Sequence, residues 1–126
     1  MQYDEFVKAV QHRAELDNEI EARAAIFATL QTLGERLPKE TVYAVAGQLP
    51  PELGTLLQAT EQPEHFTLGQ FYERVAARAE VELEDAIPYA QATGIVLRRA
   101  LPVASFAAIE KELPMEFQRL FDKQRA

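Results

Sequence analysis

A chain of 126 residues is long enough to bury a core without disulfide or metal staples, and 48% apolar with 26% charged residues is a globular balance rather than a disordered or membrane-embedded one. No cysteine is present, which excludes thiolate metal sites, disulfide scaffolds and cysteine nucleophiles. A net charge of −7 repels nucleic-acid phosphates and anionic lipid, and no run approaches the ~20 apolar residues of a membrane span.

The opening residues Met1-Gln2-Tyr3-Asp4-Glu5-Phe6 hold neither a basic nor an apolar signal segment, so a cytoplasmic protein is expected. A first helix is predicted from Tyr3, Phe6, Val10 and Ala14, which form one stripe at helical spacing. A second presents Ala22, Ile26, Leu30, Leu33 and Leu37, with Asp17, Glu19 and Glu21 at its positive N-terminal end. Pro38 ends it and opens a third helix carrying Val42, Val45 and Leu49; Pro50 then starts a short fourth one with Leu53, Leu56 and Leu57. The polar stretch 58–65 reads as a linker.

Beyond the linker the same order returns. A helix starting near Thr67 has a capping box between Thr67 and Gln70, Phe66 and Phe71 at staple spacing, and an apolar stripe of Leu68, Phe71, Val75 and Ala79. A long helix from about Glu84 carries Ala86, Ala90, Gly94, Leu97 and Leu101, with Glu82, Glu84 and Asp85 at its start. Pro88 is expected in its first turn, where a missing N–H is harmless, and Gly94 at a crossing with a neighbouring backbone. Pro102 opens a helix with Phe106, Ile109 and Leu113, and Pro114 a short one with Phe117, Leu120 and Phe121. Arg119, Lys123 and Arg125 read as cations suited to the end of a last helix.

The two halves align. At an offset of 65, Phe6, Val10, Arg13, Ala14 and Glu15 fall on the identical Phe71, Val75, Arg78, Ala79 and Glu80. After one dropped residue, an offset of 64 matches Ala22, Leu33, Leu37, Pro38, Leu49, Pro50, Glu52 and Leu56 with Ala86, Leu97, Leu101, Pro102, Leu113, Pro114, Glu116 and Leu120. The expected fold is therefore all-α, a single domain over 1–126 with two tandem pseudo-repeats of about four helices each, 1–57 and 66–121, packed as one compact bundle.

The strings Tyr3-Asp4-Glu5-Phe6, Arg13-Ala14-x-Leu16, Thr32-Leu33-Gly34-Glu35-Arg36-Leu37 and Gln48-Leu49-Pro50-Pro51-Glu52-Leu53 resemble the bacterial domain-of-unknown-function family 2267. Phe71, Arg74-Val75, Arg78 and Leu113-Pro114-Met115-Glu116-Phe117 extend the resemblance over nearly the whole chain. The sequence departs from the family pattern at Glu15, where a small residue such as glycine is common, and at Pro88. The resemblance implies a fold, and carries no activity, substrate or catalytic residue with it.

His12 and His65 are the only histidines; with no second ligand at metal spacing they read as surface residues. The acidic groups at the starts of the long helices, and Glu52 and Glu116, suit helix N-termini; a calcium loop's alternating oxygens are absent. No phosphate-binding glycine motif or nucleophile elbow occurs, and Ser105 is the sole serine. Tyr3, Tyr43, Tyr72 and Tyr89 are expected half-buried in the core or its rim.

Arg13 and Arg78 are the polar pair at equivalent positions of both repeats. Each reads either as a structural group pairing with a carboxylate at the next helix start, or as half of an anion or partner contact converging across the pseudo-twofold axis. The expected function is a non-enzymatic protein-interaction module without cofactor or metal, with no nucleic-acid or membrane partner, as a monomer or weak homodimer. The alternative is a small-molecule or anion-sensing domain with its pocket at the seam of the repeats; an enzyme whose carboxylates meet only in space comes third.

Overall fold

In the computed structural model, which describes residues 1–122, eight α-helices follow one another: α1 (Tyr3–Arg13), α2 (Glu19–Arg36), α3 (Lys39–Ala46), α4 (Pro51–Gly54), α5 (Leu68–Ala79), α6 (Leu83–Ala100), α7 (Val103–Lys111) and α8 (Gln118–Phe121). No strand occurs among the described residues, and the chain is an all-α bundle. Lys123 and Arg125, read as part of a basic C-terminal stretch, lie outside them.

Local chemistry sets the helix starts. Asn18 caps α2 by accepting from the Glu21 amide at 2.9 Å, a cap the acid-based reading of this terminus missed. Thr67 and Gln70 form the reciprocal box at the start of α5, and the Phe66 and Phe71 rings lie 6.3 Å apart beside it. Leu37 and Leu101 are extended, as residues before proline are, so α2 and α6 stop there and Pro38 and Pro102 open α3 and α7. Both α1 and α5 end on a left-handed residue, Glu15 at φ 55° and Glu80 at φ 57°. The departure at Glu15 thus falls on a conformation that favours glycine.

The 18-residue helices α2 and α6 form the centre, with α1 and α5 packed against both. α2 buries residues almost all round, from Ala22, Ile26 and Leu30 to Leu33 and Arg36. The buried Thr32 and Thr93 hydroxyls return to the carbonyls of Ala28 and Tyr89 one turn back, which keeps them satisfied in the apolar interior. Gly94 meets the expected crossing: a Cβ there would lie 3.1 Å from the carbonyl carbon of Leu120 and 3.2 Å from its Cγ. Among the described residues no helix is long and apolar enough to cross a membrane.

Three expectations need correction. Pro88 is the sixth residue of α6, in its second turn; the ring faces solvent, and the helix continues because the carbonyl left without a donor, that of Glu84, is near the exposed end. The fourth helices are shorter than their apolar patterns: α4 is one turn that ends before Leu56 and Leu57, and its counterpart begins as a 3₁₀ turn, Met115–Phe117, before α8. Tyr43 is 64% exposed rather than half-buried, because α3 turns Val42 and Val45 inward and leaves position 43 outside.

Candidate functional site

Polar chemistry gathers at two of the seams that join α1 and α5 to the central helices. At the first, the last turn of α5 lies beside the last turn of α2. Arg78 donates a fork to Glu35, Nη1 to Oε1 at 2.8 Å and Nη2 to Oε2 at 2.7 Å, and a third bond to Thr32 Oγ1 at 2.8 Å. One turn earlier Arg74 reaches the same Glu35 Oε1 at 3.2 Å and forks Glu64 at 3.0 and 2.9 Å, its guanidinium 4.0 Å from the Phe66 ring centroid. The bond from Arg78 leads the forces that hold the Glu35 carboxyl below the usual range, against the opposing effect of burial; Arg74 does the same for Glu64.

Arg36 lies next to this network and is the most buried charge among the described residues, 5% exposed. Its Nε donates to the Phe66 carbonyl at 2.9 Å, and its guanidinium lies 5.3 Å from the Phe117 ring. Burial lowers its pKa, with the charge of Glu116 opposing. Two carboxylates meet two guanidiniums in the Glu35–Glu64–Arg74–Arg78 group, which is therefore neutral within itself. The carboxylate that pairs with Arg78 comes from the end of α2 and not from the next helix start. Packing of α5 against α2 brings those ends together, while Glu82, Glu84 and Asp85 stay exposed.

The second seam, between α1 and the end of α6, holds an open cleft of about 760 Å³. Lys8, His12, Arg13 and Arg99 line it, with Glu15 the sole carboxylate among the described residues of its wall and Ala9 and Leu16 as apolar surface. Lys8, Arg13 and Arg99 bring three positive charges against one negative, in a chain of net −7. Among the described residues none of these four groups has an ion-pair partner; Gln11 is engaged with the Leu16 carbonyl at 3.4 Å. The convergence of Arg13 and Arg78, one of the two readings of the pair, does not occur: Arg78 is engaged with Glu35 between α5 and α2, whereas Arg13 lines the cleft with Arg99 of α6.

Lys8 and Arg99 were missed as site residues. The signal for Arg99 was in the repeat register, which sets it at the position of Glu35. His12 and His65 are exposed as expected, and no group of three or more acidic or histidine side chains among the described residues could hold a metal.

A family model for uncharacterized conserved proteins, DUF2267, matches residues 3–120. The chain belongs to this family. No curated protein matches it. In this DUF2267 chain, the string Thr32-Leu33-Gly34-Glu35-Arg36-Leu37 that carried the resemblance supplies Thr32, Glu35 and Arg36 to the first seam, and Arg74 and Arg78 complete it. Of the cleft residues, Arg13 and Leu16 belong to the resembling strings, whereas Lys8, His12 and Arg99 do not.

Proposed function

We propose that the protein is a non-enzymatic interaction module whose working surface is the cleft between α1 and the end of α6. The observation that carries this reading is the set of Lys8, Arg13 and Arg99, three cations without partners among the described residues, on one concave surface of an acidic chain. Charges held together without counterions repel one another, and an anionic partner removes that repulsion on binding. The cleft's openness favours a macromolecular partner over an engulfed metabolite, since small-ligand pockets bury most of the ligand's surface.

A small-molecule or anion sensor is the second reading, favoured by the position of the cleft where the halves meet. In either case the reading is of a cytoplasmic monomer or weak homodimer that avoids nucleic acid and membranes, whose phosphates the net charge repels. Parallel affinity capture from the native cell, with the wild-type chain and the Arg13→Glu/Arg99→Glu variant as baits, tests the proposal. A partner retained by the first and lost by the second supports it; the same partners on both baits remove the cleft as the binding face.

A further inference from the structure

The seam that is closed shows what the open one lacks. α5 packs on α2 and α1 packs on α6, and the repeat register sets Arg13 against Arg78, Ala9 against Arg74, Arg99 against Glu35 and Val96 against Thr32. At the α2–α5 seam, Glu35 and Thr32 take up the Arg78 fork, and the long Arg74 side chain fills the adjoining space. At the α1–α6 seam, alanine replaces that long side chain, which leaves the cleft, and arginine replaces the carboxylate. Two guanidiniums therefore line one space, with valine where the hydroxyl acceptor would be.

The closed seam is also crossed by a non-helical segment. The Glu64 amide donates to the Glu35 carbonyl at 2.9 Å, and the Glu64 carboxylate takes the fork from Arg74. Two residues on, the Phe66 ring lies under Arg74 while its carbonyl accepts from Arg36. This segment supplies one carboxylate, one aromatic face and backbone contacts in three successive residues.

Resting on the reading of the cleft as the binding face, we infer that it takes an extended acidic segment of a partner protein. That segment carries a carboxylate two residues before an aromatic one, at the spacing of Glu64 and Phe66 but with Arg13 and Arg99 as its cations, because Arg74, which holds both groups at the other seam, has Ala9 as its counterpart. The carboxylate accepts from Arg13 and Arg99, and the ring lies along Ala9 and Leu16. From Lys8 to Arg13 the cleft follows about 8 Å of helix axis, at ~1.5 Å per residue, which accommodates two or three extended residues at ~3.3 Å each. A long polyanion would feel the repulsion of the remaining acidic surface, whereas a short segment meets only the charges within a Debye length of the cleft.

The test is fluorescence anisotropy with a labelled ten-residue peptide bearing two Glu-x-Phe units, its glutamine-substituted twin, a ten-nucleotide single-stranded DNA, and citrate as a competitor. Amide NMR shifts locate the contact. The glutamate peptide is expected to shift Lys8 to Leu16 and the end of α6, and to bind at least tenfold more tightly than its twin. Arg99→Glu restores the carboxylate that Glu35 provides at the other seam. It is expected to cut peptide affinity at least tenfold while raising the melting temperature, a combination that a misfolded variant does not give. As a second variant, Arg13→Gln, which removes the other cation assigned to the carboxylate, is expected to weaken the glutamate peptide at least tenfold. Equal binding of the two peptides, or unchanged affinity in Arg99→Glu, overturns the inference. If DNA or citrate occupies the cleft and the peptide does not, the acidic-segment assignment falls while the cleft remains the binding face. If none of the probes shifts the cleft amides, both fall.

Discussion

Replacing Gly94 by alanine tests how α8 is seated on α6. In an open helix interior the change would stabilise by about 1 kcal/mol, because glycine costs that much in backbone entropy. Here the new Cβ would sit well inside contact distance of the Leu120 carbonyl oxygen, 3.1 Å from its carbon and 3.2 Å from Leu120 Cγ. The obstacle is backbone, so rotation of a side chain cannot relieve it; α8 must move. Leu120 and Phe121 are both buried, and Phe121 packs edge-on against Phe106 at 5.0 Å between centroids, so the movement loosens a corner of the core.

Overpacking of this kind costs about 1–3 kcal/mol, and partial exposure of one large apolar side chain adds about 1–2 kcal/mol. After the helix-propensity gain the net loss is about 2 kcal/mol, or roughly 8 °C in melting temperature for a domain of this size. Circular-dichroism melts and urea titrations of the full chain measure it, with Gly69→Ala as the control. A Cβ at Gly69 meets only Thr67 Oγ1 at 3.8 Å, so that variant is expected to be neutral or slightly more stable. A Gly94→Ala protein as stable as the wild type would refute the close approach of α8 to α6.

The first seam gives a pH signature. Glu35 has its folded-state pKa depressed, mainly by the Arg78 hydrogen bonds, so its contribution is present above the unfolded value and lost as pH falls through the folded one. The stability gap between wild type and Glu35→Gln, about 2 kcal/mol at pH 7 for charge-assisted bonds, should therefore close below about pH 4; a gap independent of pH between 7 and 3 would rule the ion network out as its source. Arg78→Ala should cost about 1–2 kcal/mol, whereas Arg13→Ala, at the equivalent position without a partner, should stay within about 0.5 kcal/mol; equal losses in urea titrations would contradict the different surroundings of the two arginines. Glu15→Gly should raise stability by up to about 0.5 kcal/mol, the relief of a left-handed side chain less the added freedom of the unfolded chain. Glu15→Val should lower it, and differential scanning calorimetry of the pair checks the sign.

Features written locally were legible in the sequence. The Leu-Pro steps at positions 37–38 and 101–102 end the long helices because a residue before proline is forced out of the α region, and the Thr67–Gln70 box needs only three residues of separation. The Arg78–Glu35 bond spans 43 residues and depends on which helices pack together, so no spacing rule could find it. The burial of Arg36 was not legible for a different reason. Its polarity argues for the surface, yet a backbone carbonyl and two aromatic rings, all from segments distant in sequence, make its burial tolerable.

The repeat register proved most informative where it fails to repeat. A packing seam needs its apolar surface filled and its charges paired, and both requirements are met where Glu35 faces Arg78. A binding surface needs the reverse, a charge and a space left unfilled in the isolated chain, at some cost in stability. The substitutions of alanine for the position of Arg74 and of arginine for that of Glu35 create both together at the α1–α6 seam. The fit of apolar side chains gives no reason for the second change, because a glutamate at the exposed position 99 would supply Arg13 with the kind of partner that Glu35 is for Arg78. On this reasoning Arg99→Glu should make the protein more stable, by about 1 kcal/mol for a half-exposed pair, and less able to bind.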